Sequence, residues 1–219
     1  MHSITTIQRW GEHPGFARAL PFGLYIAFLA LAPLSHGWIG FDVRWLYGFQ
    51  IAAVALALAW FWRRYAELNQ GLELTLWQCA VSAATGVAVF ALWINLDHAW
   101  ATLGESKGFD PRQAGGALDL PLVAMRIFGA AVIVPVMEEL FWRSLVMRWI
   151  ERPDFLAQSP RTVGMRAVLM SSVVFGLEHT LLLAGILAGL AYALLYRWSG
   201  SLWGPVIAHA VTNLLPLQR

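Results

Sequence analysis

The chain has 219 residues, 58% of them hydrophobic and 13% charged, with twelve tryptophans and a mean hydropathy of +0.58. A soluble domain carries about twice that charged fraction, so the composition excludes one and indicates a single integral-membrane domain over residues 1–219. The formal charge is +2, from 15 basic and 13 acidic side chains, and no Lys/Arg cluster stands apart; a nucleic-acid partner is thereby excluded. Cys79 is the only cysteine, which excludes an internal disulfide and a cysteine-rich metal centre, and inside an apolar run it reads as a packing residue.

The first thirteen residues are polar and mixed and lack the pattern of a cleaved signal peptide, so the first span is expected to be retained. That span covers about Phe16 to Ser35, and the second runs from Trp45 to Trp62, closed by Arg63 and Arg64. A polar loop, Tyr65 to Thr75, carries Glu67 and Glu73. The third span, Leu76 to Leu96, offers Ala80, Ser82 and Gly86 for close helix packing. Asp97 to Asp119 is glycine-rich and net acidic, an irregular loop or short interfacial helix. The fourth apolar run, Leu120 to Ile150, is longer than a ~30 Å hydrocarbon core at ~1.5 Å per residue, so it must tilt or protrude. After a second loop, Glu151 to Thr162, the chain is apolar from Val163 to Trp198, interrupted at Glu178-His179-Thr180, where two spans turn. The later of these, Leu181 to Trp198, reads as short, and the last span covers Leu202 to Leu217.

The expected architecture is therefore an all-α polytopic transmembrane helix bundle of about seven spans. With the N-terminus cytoplasmic, ten basic residues, among them Arg9, Arg18, Arg63, Arg64, Arg143 and Arg148, fall on or near the cytoplasmic side. Four (Arg44, Lys107, Arg112, Arg219) fall on the other. The positive-inside rule selects that orientation.

Three polar groupings break the apolar pattern, all in the second half. In Pro135-Val136-Met137-Glu138-Glu139-Leu140-Phe141-Trp142-Arg143, Glu139 and Arg143 are i and i+4, stacked on one helix face as an ion pair. Glu138 is turned about 100° away, without an arginine of its own. Pro135 should free a backbone carbonyl one turn earlier for some polar partner. Phe175 and His179 are again i and i+4, as are His209 and Asn213. Each has a bland reading: solvated acids at a helix end, packed histidines, Asn213 as interhelical glue, Glu178 as a snorkelling acid. Ionisable groups in hydrocarbon are nevertheless expensive, and several at similar depth call for one shared polar cavity. In that cavity Glu138, helped by His179, could deprotonate water, while His209 and Asn213 donate to a developing oxyanion. A zinc version would use Glu138, His179 and His209, although no HExxH signature supports it.

Glu138-Glu139-x-x-x-Arg143, Phe175-x-x-x-His179 and His209-x-x-x-Asn213, in that order, resemble the three motifs of the CPBP family, the CAAX-protease and bacteriocin-processing intramembrane proteases. The likeness covers about Leu120 to Leu217. It implies a glutamate-type endopeptidase of a bacterial cytoplasmic (inner) membrane, with Glu138 and His179 activating water, His209 and Asn213 as the oxyanion hole, and Glu139, Arg143 and Phe175 in support. It implies no cofactor, zinc being the weaker alternative. The stretch Val134 to Arg143 is also similar to CAAX-protease-related proteins of bacteria with exosortase sorting systems. That narrower likeness implies a membrane-anchored substrate with a C-terminal sorting tail. Two rivals remain. One is a non-catalytic scaffold or immunity protein of the same family. The other is a proton-relaying transporter, which would predict broken helices in both halves of the chain.

Overall fold

The computed structural model describes residues 12–37, 42–69, 71–104 and 116–215. Residues 105–115 of the connection Asp97 to Asp119, the end of the last expected span at Leu217, and Arg9, Lys107, Arg112 and Arg219 lie outside those residues. Among the described residues there is no β-strand.

Each expected span is a helix. They are α1 (Pro14–Leu31), α2 (Leu46–Phe61), α3 (Leu76–Asn95), α4 (Leu120–Glu151), α5 (Met165–Leu177), α6 (Leu182–Ser199) and α7 (Trp203–Leu214). Their ends follow local chemistry. Thr75 and Gln78 form a reciprocal capping box at α3, and the Asp119 carboxylate accepts from the Leu122 N–H at α4. α6 stops at Gly200, whose φ of +74° is the left-handed cap that glycine adopts without strain.

Among the described residues, five segments, Pro14–Leu34, Val43–Arg64, α3, α4 and α6, are long and apolar enough to cross a membrane. α5 and α7 are shorter, with 13 and 12 residues. The expected span at Leu181 to Trp198 is the 18-residue helix Leu182–Ser199, displaced by one residue. Only 17% of the apolar window of α3 is covered by protein, and Trp60, Trp77 and Leu76 stand outward at 83%, 70% and 91% exposure. Apolar surface on that scale needs lipid around it. The chain is an integral membrane protein.

The bundle is organised around α4, whose 32 residues extend roughly 48 Å. Met137, Leu140 and Met147 on it are fully enclosed. The helix widens into π-helical turns over Gly129–Ile133 and Leu140–Met147 on either side of the two glutamates. Such widened turns rotate side chains relative to a regular helix and are frequent at functional sites.

Glycine sets two of the helix seams. A Cβ at Gly86 of α3 would overlap the carbonyl oxygen of Ala208 and stand 2.8 Å from Val211 Cβ, so α3 and α7 touch backbone to backbone there. Gly176 and Gly185 do the same for α5 and α6: a Cβ at Gly185 would lie 3.0 Å from the Gly176 Cα.

The loop after α2 departs from the sequence expectation. Tyr65 and Leu68 are buried, and Glu67 reaches into the bundle instead of into solvent. It pairs with Arg18 of α1 at 2.6 Å and Arg148 of α4 at 3.1 Å, and it accepts from the Ser144 hydroxyl. Arg148 also donates to the carbonyls of Gln158 and Leu156, and Arg18 to those of Pro14 and Arg64. Arg18, Arg143 and Arg148 are 0%, 2% and 5% exposed. Three of the arginines counted for topology thus serve internal pairing, and the N-terminal orientation rests on the others.

Candidate active site

The site is assembled on α4 and closed by α5, α6 and α7. Glu138 and Glu139 are 7% and 0% exposed. Their side chains diverge, as the helical offset predicts. Glu139 Oε2 pairs with Arg143 Nε at 3.1 Å, and its Oε1 accepts from His209 Nδ1 at 2.9 Å. The Arg143 guanidinium lies over the Phe175 ring at 4.4 Å and the Tyr192 ring at 5.4 Å, and its Nη2 donates to the Gly189 carbonyl at 3.3 Å. A buried charge held by a carboxylate and two aromatic faces is a rigid support. Glu138 keeps a buried Oε2 with no hydrogen-bond partner and, unlike Glu139, no arginine pair.

His179 stands just beyond α5, in the turn and not on the helix itself, since that helix ends at Leu177. The i, i+4 relation to Phe175 nonetheless survives: the rings lie 4.6 Å apart, and His179 Nδ1 is 2.7 Å from the Phe175 carbonyl oxygen. A carbonyl only accepts, so Nδ1 carries the proton and Nε2 keeps its lone pair. Trp93 of α3 meets the imidazole edge-on at 5.4 Å. A ring nitrogen of His179, a carboxylate oxygen of Glu138 and one of Glu178 all lie within 4.8 Å of one another. Among the described residues this is the one such grouping of three potential metal ligands.

His209 comes from α7. Tyr192 stacks on its ring at 5.0 Å, and with Nδ1 on Glu139 its Nε2 faces Glu138 Oε2 at 3.9 Å. Asn213 is one turn further along and does not join the carboxylates. Its Nδ2 donates to the Ala130 carbonyl at 2.9 Å. Ala130 is five residues before Pro135, the position a π-helical N–H would have satisfied. This is the freed carbonyl that the proline implied, and Asn213 is its partner. The bond uses one amide hydrogen and leaves the other.

The structure therefore brings Glu138, Glu139, Arg143, Phe175, His179 and His209 together and sets Asn213 at their margin. The three-ligand grouping contains Glu178 where the sequence-based zinc alternative has His209, whose Nδ1 is engaged by Glu139. Sequence reasoning missed Trp142, whose Nε1 donates to Glu178 Oε1 at 2.8 Å, and the second-layer rings Trp93 and Tyr192. Nothing in their local spacing marks them. An apolar cavity of about 680 Å³ lies elsewhere, between α2, α4 and α7, where Val132 and Val136 line the face of α4 turned away from Glu138.

Residues 120–215 match the family described as Type II CAAX prenyl endopeptidase Rce1-like. A Bacillus subtilis (strain 168) protein, YdiL, described as a candidate membrane peptidase, is 30% identical over 96 residues, which cover 42% of this chain and 35% of YdiL. The matched region thus spans about a third of that relative. No solved structure matches. The second half of the chain is thus similar, over residues 120–215, to the Rce1-like CAAX endopeptidases.

Proposed function

We propose that this protein is an intramembrane endopeptidase that hydrolyses a peptide bond near the C-terminus of a membrane-associated protein, using water activated by Glu138 and His179. The observation that carries this reading is the pairing of a buried carboxylate oxygen lacking a partner with an imidazole whose Nδ1 is already fixed. Such a pair is arranged to receive a proton from water held between them. His209, oriented by Glu139, and Asn213, through its second amide hydrogen, supply donors for the oxyanion. The aromatic and arginine packing around Phe175 holds these groups without solvent, which strengthens each electrostatic contact.

The substrate class follows from the bilayer setting: a membrane-anchored chain, with a C-terminal sorting tail as the form implied by the Val134 to Arg143 likeness. The site faces a bacterial cytoplasmic membrane with the N-terminus inside.

A second reading is zinc-assisted hydrolysis, favoured by the Glu138, Glu178, His179 grouping, whose two carboxylates and one imidazole are acceptable zinc ligands. One experiment separates the two. Purified enzyme in detergent is given a panel of membrane-anchored C-terminal peptides, with and without a strong chelator, beside Glu138→Gln. Cleavage that persists under chelation and vanishes in the variant supports the glutamate mechanism. Loss on chelation with recovery on adding zinc supports the metal. No cleavage of any peptide by the wild type would favour a non-catalytic scaffold or immunity role.

A further inference from the structure

Amide hydrolysis needs two proton transfers. One takes a proton from water, and the other gives a proton to the leaving nitrogen. Glu138 and His179 account for the first. A donor on the opposite side of the same small space is needed for the second, and the structure holds a carboxyl group there that no family motif includes.

We propose that Glu178 is the general acid of this site, positioned by the indole of Trp142; the inference rests on the hydrolytic reading above. Four observations support it. A Glu178 carboxylate oxygen lies within 4.8 Å of both the Glu138 carboxylate and a ring nitrogen of His179, so all three border one space. Trp142 Nε1 donates to Glu178 Oε1 at 2.8 Å, which fixes one oxygen and leaves the other to carry a proton. Trp142 is itself 5% exposed, meets Phe175 edge-on at 6.0 Å and packs against Phe22 of α1, so the tether is rigid. Finally, the two carboxyls come from different elements, the buried Glu138 from α4 and the exposed Glu178 from the turn after α5. The turn bearing Glu178 is pinned as well, since the Leu103 N–H donates to the Thr180 carbonyl at 2.7 Å.

The charged and titratable groups around Glu178 are Glu138 and Arg143 on α4, His179 beside it, and Tyr25 on α1, with His209 of α7 on the far side of Glu138. Two carboxyls in so small a space repel when both are ionised, and one proton between them is the arrangement that acid–base pairs use. The step balances. Glu138 accepts a proton from water as the hydroxide oxygen bonds to the carbonyl carbon. The tetrahedral intermediate expels nitrogen as Glu178 gives up its proton, and the C–N bond breaks with its electron pair on nitrogen. The proton on Glu138 then returns to Glu178 through water, leaving a carboxylic acid and an amine.

The test compares wild type, Glu178→Gln, Trp142→Phe and Glu138→Gln on two probes of one membrane-anchored sequence. One probe has a peptide bond at the scissile position. The other has an activated aryl ester, whose leaving group needs no proton. Glutamine retains an oxygen for the indole, and melting in detergent checks the fold of each variant. The expected result for Glu178→Gln is a fall in peptide kcat of about 10²–10⁴-fold with near-wild-type ester cleavage. Trp142→Phe, which leaves the carboxyl untethered, should show a smaller fall with the same preference for ester, and it carries the test if Glu178→Gln does not fold. Equal loss on both probes, or wild-type peptide cleavage by Glu178→Gln, would overturn the assignment. Glu138→Gln should lose both probes. Activity of that variant on both would overturn the hydrolytic reading itself, a result distinct from any seen at Glu178.

Discussion

Glu138 and Glu139 are adjacent in the chain, yet their surroundings assign them opposite duties. Glu139 accepts from His209 through Oε1 and forms an ion pair with Arg143 through Oε2, whereas Glu138 Oε2 has neither a hydrogen bond nor an arginine pair. Glu138→Gln and His179→Ala should accordingly abolish peptide cleavage while leaving the melting temperature in detergent near that of wild type. Glu139→Gln should act on stability instead. It strips the charge partner from a 2% exposed arginine, a loss of about 3–5 kcal/mol for broken buried pairs, visible as lower expression and an earlier melt. Asn213 belongs to both categories. Asn213→Ala should slow cleavage by ~10²–10³-fold through the missing oxyanion donor. It should also lose about 1–3 kcal/mol because the Ala130 carbonyl is left unpaired. A slow variant with an unchanged melt would assign the side chain to chemistry alone.

The helices meet where side chains are absent. Gly86 on α3 admits the backbone of α7 at Ala208, next to His209, and the same contact lets Thr212 Oγ1 lie 3.0 Å from the Gly86 carbonyl. Tyr192 donates to that hydroxyl at 2.7 Å while stacking on His209, so the seam and the imidazole are mechanically linked. Even Gly86→Ala should force α3 and α7 apart. Overpacking of this kind typically costs about 1–3 kcal/mol, and the matching drop in kcat should exceed the drop in substrate affinity, since His209 shifts with α7. Gly23, whose added Cβ would meet nothing within 4 Å, is the control: Gly23→Ala should leave both readouts unchanged.

Taken together, the first three spans are more than an apolar wrapping for the motif-bearing half. Glu67, between α2 and α3, joins α1 through Arg18 to α4 through Arg148 and Ser144. Burial alone would raise its pKa, but Arg18 beside it outweighs that and holds the carboxyl below its ordinary 4.5. A depressed folded-state pKa means that the stabilisation is complete above the unfolded value and is lost as pH falls through the folded one. Melting temperature in detergent should therefore decline below about pH 4.5, and Glu67→Gln should flatten that acid limb while lowering stability at neutral pH. An acid limb that persists in Glu67→Gln would assign the effect to other carboxylates.

Much of this protein was legible in one dimension because a helix repeats locally. Hydropathy located the seven apolar helices among the described residues, and one-turn spacing alone implied the Glu139–Arg143 pair, at 3.1 Å, and the Phe175–His179 ring contact, at 4.6 Å. Pro135 likewise announced an orphaned carbonyl without saying which side chain would meet it. The contacts that give the site its chemistry span far longer separations. His209 reaches Glu139 across 70 positions, Asn213 reaches Ala130 across 83, and Trp142 reaches Glu178 across 36. The Glu67 hub, which reads in sequence as an ordinary loop acid, closes across 49 and 81. Such contacts depend on how helices cross and how near their backbones come, which small residues and widened turns set in three dimensions. Periodicity along the chain states which face a residue occupies, and only the packed bundle states what that face meets.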